Sequence, residues 1–456
     1  MRQTVVGAVL IALAALLILP AAPVATGQQS REIVVGALIT RDGGRPIGNE
    51  EATLRIAEED INARLAAQAT GVRVRFVMVN TERDPARALA AVQSMAQQGI
   101  RLVIGPDTSA ELEAIKPFVD SAGMIVISYA STAPGLATPG DNVFRFVPDD
   151  THQADAIVAL MTDDQVRTIV PLYRGDVYGD GLLAALRTRF GGTLAEGIRY
   201  SPATVDHHAE VAAFAERVEA ARATGASVGV YFVAFPEEAP AILEIAATYP
   251  SLAGVRWYGS DGIAQQSSVI DDPIAAEFAV KVGLPNPIFG QVGDIAQLED
   301  VSERVRALIG DAPTAYALAA YDAATVGVVA LLLAGNGDNI DRFRQVLIET
   351  ADLYDGLTGP TTLNAAGDRA GGDYDFWAIR SENGGFYWQR VAIYDVHTAT
   401  SGIIVRREVA GPQPTPPPGP PVPPTLPFPG LQPPVVPVPS ATPDSLPGPI
   451  VIPGLR

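Results

Sequence analysis

Strand-like and helix-like segments alternate regularly along this chain, and this alternation limits the fold more than any other feature. Residues 31–39 form a buried apolar run, residues 50–69 repeat their apolar positions with a helical period, and residues 72–79 are rich in β-branched side chains. The alternation resumes after Pro148. Because a strand–helix–strand series gives a parallel sheet covered by helices, we expect an α/β fold of two doubly wound parallel-sheet lobes. The ligand crevice of each sheet lies at the carboxyl ends of its strands, and if the lobes face each other the two crevices merge into one cleft.

Local signals place individual elements within this pattern. Asp84 followed by Pro85 predicts the beginning of a helix, because aspartate is a good N-cap and proline suits the first helical position. In the second half of the pattern we expect a helix at 179–190 and one continuous strand at 194–200.

The two ends of the chain differ from the alternating body. Arg2, an apolar run at 5–19 and small residues after it predict a signal peptide at 1–27 and an exported protein, in the periplasm or on the outer face of the cytoplasmic membrane. The run is shorter than the ~20 residues of a spanning helix, although retention as an anchor stays an alternative. Residues 411–456 hold 19 prolines in 46 positions, which predicts a disordered tail that is a spacer, a docking segment or dispensable.

Composition disfavours several classes of function. The net charge of −19 at pH 7 argues against nucleic acid or anionic lipid as a partner, because both are polyanions. The chain has no cysteine, so we expect no disulfide, thiolate metal site or lipid-modified N-terminus. Phosphate-binding loops, dinucleotide fingerprints and nucleophile elbows are missing from the sequence, and the four histidines have no metal-ligand spacing. We therefore expect a binding protein that is not an enzyme and needs no cofactor or metal.

Several short motifs follow one another along the body of the chain. The longest is IGPDTSAELEAIKPFVDSAGMIVISYASTAP, which starts at Ile104. The others are, in order, NVFR from Asn142, DD at 149–150 with Gln153, YGDGL from Tyr178, YDA from Tyr321, GLTGP from Gly356 and GDRAGGDYDFWAI from Gly367. From about residue 31 to about residue 400, the chain resembles the leucine/isoleucine/valine-binding type of periplasmic solute receptor.

The resemblance implies a type I periplasmic binding protein fold with lobe 1 at 31–148 and 284–352, and lobe 2 at 149–282 and 353–408. Three hinge crossings then join the lobes. It also implies the substrate-binding protein of an ABC transporter, a monomer that closes on a small-molecule ligand and delivers it to a membrane permease. An amino acid is the expected ligand, with the branched-chain type favoured and a related amide as an alternative. A sensory receptor that signals to a partner protein uses the same closure, and a surface interaction protein is a third alternative.

An amino acid needs donors for its carboxylate and an acidic partner for its ammonium, because buried charges are costly when unpaired. Ser109 follows a strand and stands where a helix begins, so it could bind the carboxylate or be a plain N-cap. The resemblance matches Ser109 to a carboxylate-binding serine. It matches Ala130 and Thr132 to further ligand contacts, although both residues also suit an ordinary turn.

The resemblance matches Asp261 to an acidic residue that holds the ligand amine, with aspartate here in place of the usual glutamate. Asp150 is a second matching carboxylate, or else an exposed helix cap. Tyr178 and Phe235 are expected as aromatic walls of the site, or as ordinary core residues. Arg45, in a glycine-rich loop, is either a clamp for a second ligand carboxylate or solvated.

Overall fold

In the computed structural model, the described residues are 31–41, 46–290, 295–396 and 403–406. They belong to one compact unit. The predicted signal peptide and Pro-rich tail therefore fall outside the described residues and stay predictions.

The first sheet has five parallel strands. These are β1 (Arg31–Ile39), β2 (Val72–Asn80), β3 (Leu102–Ile104), β4 (Ile125–Ser128) and β5 (Val143–Arg145). Their spatial order is β2-β1-β3-β4-β5, which puts the first strand inside the sheet as in doubly wound folds. The connecting helices are α1 (Asn49–Ala67), α2 (Pro85–Gln97) and α3 (Ser109–Ala122). As predicted, Asp84 caps α2, where its side chain accepts hydrogen bonds from two backbone amides.

Both faces of this sheet are buried. Successive side chains of each strand point to opposite sides, so each strand contributes to the packing on both faces. In β3, Leu102 and Ile104 pack into the cluster that contains α1, and Val103 packs into the cluster that contains α2 and α3. This burial on both faces explains why the strands appear in the sequence as short, uninterrupted apolar runs.

The second sheet is also parallel and has the order β10-β9-β6-β7, with β8 paired to β6. Its strands are β6 (Thr168–Arg174), β7 (Thr193–Leu194), β8 (Ile198–Tyr200), β9 (Val228–Val233) and β10 (Arg256–Tyr258). Its helices are α4 (Asp150–Asp163), α5 (Val177–Arg189), α6 (His208–Arg222), α7 (Ala239–Ala247), α8 (Pro250–Ala253), α9 (Ser267–Asp271) and α10 (Pro273–Val282). The predicted fold class, α/β with two parallel sheets, is confirmed.

One strand prediction was wrong. The expected strand at 194–200 is divided into β7 and β8, which pair with different parts of β6. Pro171 lies in the middle of β6 and has no backbone N–H to donate, so continuous pairing cannot pass it. Gly197 lies so close to Pro171 that a Cβ there would be 2.2 Å from the Pro171 carbonyl oxygen.

After the second sheet the chain returns to the first. Helices α11 (Ile295–Ile309), α12 (Ala315–Leu333) and α13 (Ile340–Leu353) follow, and α11 and α12 pack on α1. We call the first sheet with α1–α3 and α11–α13 lobe 1, and the second sheet with α4–α10 lobe 2. The residue limits given above for the two lobes stay predictions. Among the described residues, α12 alone is long and apolar enough to cross a membrane, and 89% of that stretch is buried, as in a core helix.

A third, antiparallel sheet packs on lobe 2 and was not predicted. Its strands are β11 (Asn286–Phe289), β14 (Tyr374–Glu382), β15 (Gly385–Asp395) and β16 (Ile403–Arg406), and a two-stranded ladder, β12 (Asp355–Gly356) with β13 (Gly359–Pro360), precedes it in the chain. Asn383 and Gly384, with φ of 52° and 83°, form the tight turn between β14 and β15. Asn-Gly is the preferred pair for such a turn, because both positions need positive φ.

Candidate ligand-binding site between the lobes

A cavity lies between the two lobes at the carboxyl ends of the strands. The described residues that line it are Arg83, Asp107, Thr108, Ser109, Ala130, Tyr178, Phe235, Pro236, Asp261, Gly262, Gln266 and Tyr316. Both lobes contribute side chains to this lining.

Ser109 is the first residue of α3 and lines the cavity. The N-cap is Thr108, which forms a capping box with Glu111, so the expectation that Ser109 is a plain N-cap was wrong. The Ser109 hydroxyl oxygen accepts hydrogen bonds from the backbone amides of Thr132 at 3.2 Å and Ala133 at 3.1 Å. Ser109 therefore joins the start of α3 to the turn after β4, where two more predicted residues lie.

The path of the backbone from β3 to Ser109 requires glycine at position 105. Gly105 follows β3 with a φ of 104°, in the region that side chains rarely adopt, and a Cβ there would be 2.4 Å from the Leu38 carbonyl oxygen. The chain can therefore pass close to β1 and bring Ser109 to the edge of the sheet.

Ala130 and Thr132 take different positions in the turn after β4. Ala130 lines the cavity. Thr132 is buried and is not among the described lining residues, and its carbonyl accepts a hydrogen bond of 2.9 Å from the Asp150 amide. Thr132 therefore lies behind the wall and supports Asp150.

Asp261 follows β10 in a short 3-10 turn and is buried in the cavity wall. Tyr178 of lobe 2 donates its hydroxyl to Asp261 Oδ1 at 2.5 Å, and Tyr316 of lobe 1 donates to Oδ2. The Asp261 amide donates to Gln153 Oε1 at 3.1 Å. Burial raises the pKa of Asp261, and the three polar partners oppose that rise. The carboxylate therefore bridges both lobes.

Asp150 lies behind Asp261 and is fully buried, so the alternative of an exposed helix cap was wrong; Asp149 caps α4 instead. Gln153 donates to Asp150 Oδ1 at 2.9 Å, and within the described part of the chain Oδ2 has no hydrogen-bond partner. Burial and the negative charge of Asp261 raise the pKa of Asp150 well above its ordinary value, which nearby Thr132 and Arg145 counteract. The two acids therefore titrate as a pair.

Tyr178 and Phe235 form an aromatic wall. Their rings stack with centroids 5.0 Å apart and an interplanar angle of 20°. The guanidinium of Arg174 lies 3.7 Å from the Phe235 ring centroid and is paired with Glu238 and Asp176. Arg174 is not among the described lining residues, and its contact with the ring helps to fix the position of Phe235.

The structure thus brings Ser109, Ala130, Tyr178, Phe235 and Asp261 to one cavity. Sequence reasoning missed Arg83, Asp107, Gln266 and Tyr316, which also line it. Arg83 and Asp107 lie just beyond the carboxyl ends of β2 and β3, so the strand-end rule would have found them if applied to every strand. Arg45 lies outside the described residues.

Comparison with known proteins gives the family. Residues 49–382 match the model of the receptor family ligand binding region. The chain belongs to this family. One relative, the uncharacterized protein MJ1266 of Methanocaldococcus jannaschii, is 31% identical over 401 residues, which are 83% of this chain and 93% of that protein.

Solved structures with this receptor ligand-binding fold include substrate-binding proteins of ABC transporters. One from Desulfitobacterium hafniense, in complex with Leu, has a TM-score of 0.61 and 22% identity and covers 79% of this chain and 100% of its own. One from R. palustris, in complex with benzoate, has a TM-score of 0.60 and 17% identity and covers 78% and 95%. These likenesses show the type I periplasmic binding fold that the sequence motifs indicated.

Proposed function

We propose that this protein captures a small amine-bearing molecule, an amino acid, by closing two lobes around it. The observation that carries the proposal is Asp261, a buried carboxylate of lobe 2 that reaches Tyr316 of lobe 1 beside the cavity. A ligand ammonium is a suitable partner for this carboxylate, since a buried charge is stabilised by an opposite charge with hydrogen bonds.

The ligand carboxylate is proposed to bind at the start of α3. The helix N-terminus carries partial positive charge and backbone amides that favour anions, and the Ser109 hydroxyl lies at the same place. The ammonium then meets Asp261 and the carboxylate meets lobe 1, so an α-amino acid joins the two lobes. Binding energy from contacts to both lobes favours the closed state.

In this proposal the protein is exported, has no enzymatic activity, and passes its ligand to an ABC transporter permease in the membrane. Support comes from the receptor ligand-binding family and from structural neighbours that are ABC transporter substrate-binding proteins. Co-purification of the ligand-loaded protein with a permease supports delivery. Recovery of a signalling protein instead contradicts transport and leaves ligand capture intact.

A thermal-shift screen tests ligand capture. The full chain without its predicted signal peptide is heated with each of the twenty amino acids, with small amides and with aromatic acids. A ligand that binds only the folded state raises the melting temperature, so at least one amino acid should raise it by several degrees at saturation. If no amine-bearing compound changes the melting temperature, the proposed function is wrong.

A further inference from the structure

A buried glutamine lies directly behind the carboxylate that is proposed to bind the ligand amine. Gln153 stands near the start of α4, is 1% exposed and is not among the described residues that line the cavity. Its side-chain nitrogen donates to Asp150 Oδ1 at 2.9 Å, and its side-chain oxygen accepts from the Asp261 backbone amide at 3.1 Å. The side-chain amide therefore joins the start of α4 to the turn that carries Asp261, 108 residues further along the chain.

The two partners of Gln153 require the same orientation of its side-chain amide. The backbone N–H of Asp261 can only donate, so it needs the oxygen of Gln153. The nitrogen of Gln153 then faces Asp150, whose Oδ1 accepts. Residues three positions apart are neighbours on the surface of a helix, so Asp150 and Gln153 meet without distortion of α4.

Gln153 supplies an acceptor that the turn at Asp261 does not supply itself. The first amides of a helical turn have no acceptor within that turn, and within the described part of the chain Ser260 provides no side-chain cap. A buried backbone N–H without a partner is costly, so the turn would have to move if the Gln153 oxygen were absent. The Asp261 carboxylate would move with it, because it belongs to the same residue as the amide.

The hydrogen bonds behind the cavity continue from Asp150 to the other proposed binding point. The Asp150 amide donates to the Thr132 carbonyl at 2.9 Å, and the Thr132 amide donates to Ser109 Oγ at 3.2 Å. Thr132 and Ser109 lie on lobe 1, and both are buried. Gln153 therefore completes a buried path of hydrogen bonds between Asp261, proposed for the ligand ammonium, and Ser109, proposed for the ligand carboxylate.

We propose that Gln153 is a positioning residue for ligand capture, which holds the Asp261 carboxylate where it receives the ligand ammonium. Asp150 supports the site through Gln153, because it fixes the direction in which the side-chain amide faces. This inference rests on the proposed function, since Gln153 acts on the ligand only through Asp261.

Calorimetric titration of the full chain without its predicted signal peptide tests this role. The titrant is whichever of the twenty amino acids binds the unmodified protein most tightly. Gln153→Met keeps the length of the side chain and removes both hydrogen bonds, so the affinity should fall at least tenfold. Gln93→Met, at an exposed position on α2, is the matched control and should change the affinity less than twofold.

The loss caused by Gln153→Met should depend on the charge at position 261. In a protein that already carries Asp261→Asn, the further change Gln153→Met should weaken binding less than threefold, because the effects of residues in one hydrogen-bond network are not additive. A glutamine that only stabilised the fold would cost the same factor in both proteins.

An exchange of the acid and the amide provides a rescue. In the double variant Asp150→Asn, Gln153→Glu, the new carboxylate accepts from the Asp261 amide and from the new side-chain amide at position 150. Both hydrogen bonds and the net charge are kept, so the affinity should stay within threefold of the unmodified protein.

The outcomes separate the positioning role from ligand capture. Equal affinities of Gln153→Met and the unmodified protein, or equal losses with and without Asp261→Asn, overturn the positioning role and leave amino-acid capture standing. A loss of more than tenfold in the folded double variant also overturns it. Binding of no amino acid by the unmodified protein overturns both proposals.

A second comparison applies if Gln153→Met fails to fold. Gln153→Glu alone keeps the acceptor for the Asp261 amide but has no donor for Asp150, so two acids face each other. The double variant should then bind the amino acid at least fivefold more tightly than Gln153→Glu alone. Equal affinities of these two variants would overturn the positioning role.

Discussion

Asp261 is the single residue on which the proposed recognition of an amine depends most. Asp261→Asn keeps the shape and one acceptor for Tyr178 and Tyr316 but removes the charge that would face the ligand ammonium. We expect the affinity for an amino acid to fall more than tenfold, equivalent to over about 1.4 kcal/mol, because a buried charge loses its partner. Calorimetric titration measures this change.

The control for this substitution is Asp352→Asn, at an exposed position on lobe 1. It removes the same charge from the whole protein and should leave the affinity unchanged. Equal affinities for Asp261→Asn and the unmodified protein would remove Asp261 from the binding site.

The buried acids also predict how stability depends on pH. The pKa of Asp150 is raised well above the ordinary aspartate value of 3.8, and that of Asp261 is raised as well, so the folded protein holds protons that the unfolded chain releases. This stabilisation is complete below pH 3.8 and is lost as pH rises through the folded-state pKa values. Urea unfolding of the unliganded protein across this window should show the decline, and Asp150→Asn should reduce it.

The affinity for the ligand should depend on pH in the opposite sense to the stability, because a ligand ammonium favours the ionised form of Asp150 and Asp261. Affinity should therefore rise with pH over the window, and binding should release a proton. Among the described residues, other ionisable groups near the pair include Asp149, Arg145 and the hydroxyls of Tyr178, Tyr231, Tyr316 and Tyr374. Calorimetry in two buffers with different protonation enthalpies measures the number of protons that binding releases. Identical heats in both buffers would contradict the coupling.

Sequence reasoning located part of the site and missed part of it for physical reasons. Ser109 and Asp261 were selected by the resemblance to the solute-receptor family, and both follow strands, which agrees with the sheet rule that places ligands at strand ends. Tyr316 begins a long core helix of lobe 1 and reaches an aspartate of lobe 2, a contact between residues 55 positions apart in the chain. No local pattern predicts such a contact, because it depends on how the two lobes meet.

At the scale of elements, the 3-10 turn after β10 is packed tightly against the aromatic wall. A Cβ at Gly262 would be 2.5 Å from the Ala234 carbonyl oxygen and 2.8 Å from Phe235 Cδ1. Gly262→Ala should therefore displace Phe235, lower the stability by about 1–3 kcal/mol and weaken ligand binding several-fold. Urea unfolding and ligand titration measure the two effects.

Gly191→Ala is the matched control for this change, because a Cβ at Gly191 meets no atom within 4 Å and its φ is not in the left-handed region. It should change neither stability nor affinity appreciably. If Gly262→Ala behaves in the same way, the turn is less closely packed than described.

A second element-scale contact joins β5 to the segment before β14. Arg145 pairs with Asp368 at 2.5 Å and 2.7 Å, with side-chain exposures of 0% and 3%, and also donates to the Ala133 carbonyl at 2.8 Å. Asp368→Asn leaves a buried guanidinium without its charged partner, so the free energy of unfolding should fall by about 3–5 kcal/mol. Denaturant titration measures it.

The exposed pair Arg344–Asp341 provides the comparison, since the Asp341 side chain is 80% exposed. Asp341→Asn should cost less than about 0.5 kcal/mol, because surface ion pairs contribute little. Equal losses at positions 341 and 368 would show that the buried pair has no special role.

Among the elements, the alternating strands and helices were predictable because each follows from a local apolar period. The division of β7 from β8 was not predicted, since it arises from Pro171 in the neighbouring strand β6. The hairpin of β14 and β15 carried a local signal, Asn383-Gly384 between two apolar runs, that a search for hairpins would have found. Its position against lobe 2 depends on tertiary packing and had no such signal.

At the scale of the whole molecule, ligand capture is proposed to need only the two lobes. Residues 411–456 lie beyond the segments that contribute to the cavity. Deletion of this proline-rich segment should leave ligand affinity within about twofold, which is within roughly 0.4 kcal/mol. Titration of both proteins with the same ligand measures this. A large loss of affinity on deletion would assign the tail a part in binding.

The central claim is that an amine-bearing ligand is held between two lobes. Paired titrations of the full protein, without its predicted signal peptide, test it most directly, with one amino acid that binds and the same compound without its α-amino group. The account predicts that loss of the amino group weakens binding more than tenfold, since the ligand then lacks the ammonium that pairs with Asp261. Equal affinity for the two compounds would contradict the account.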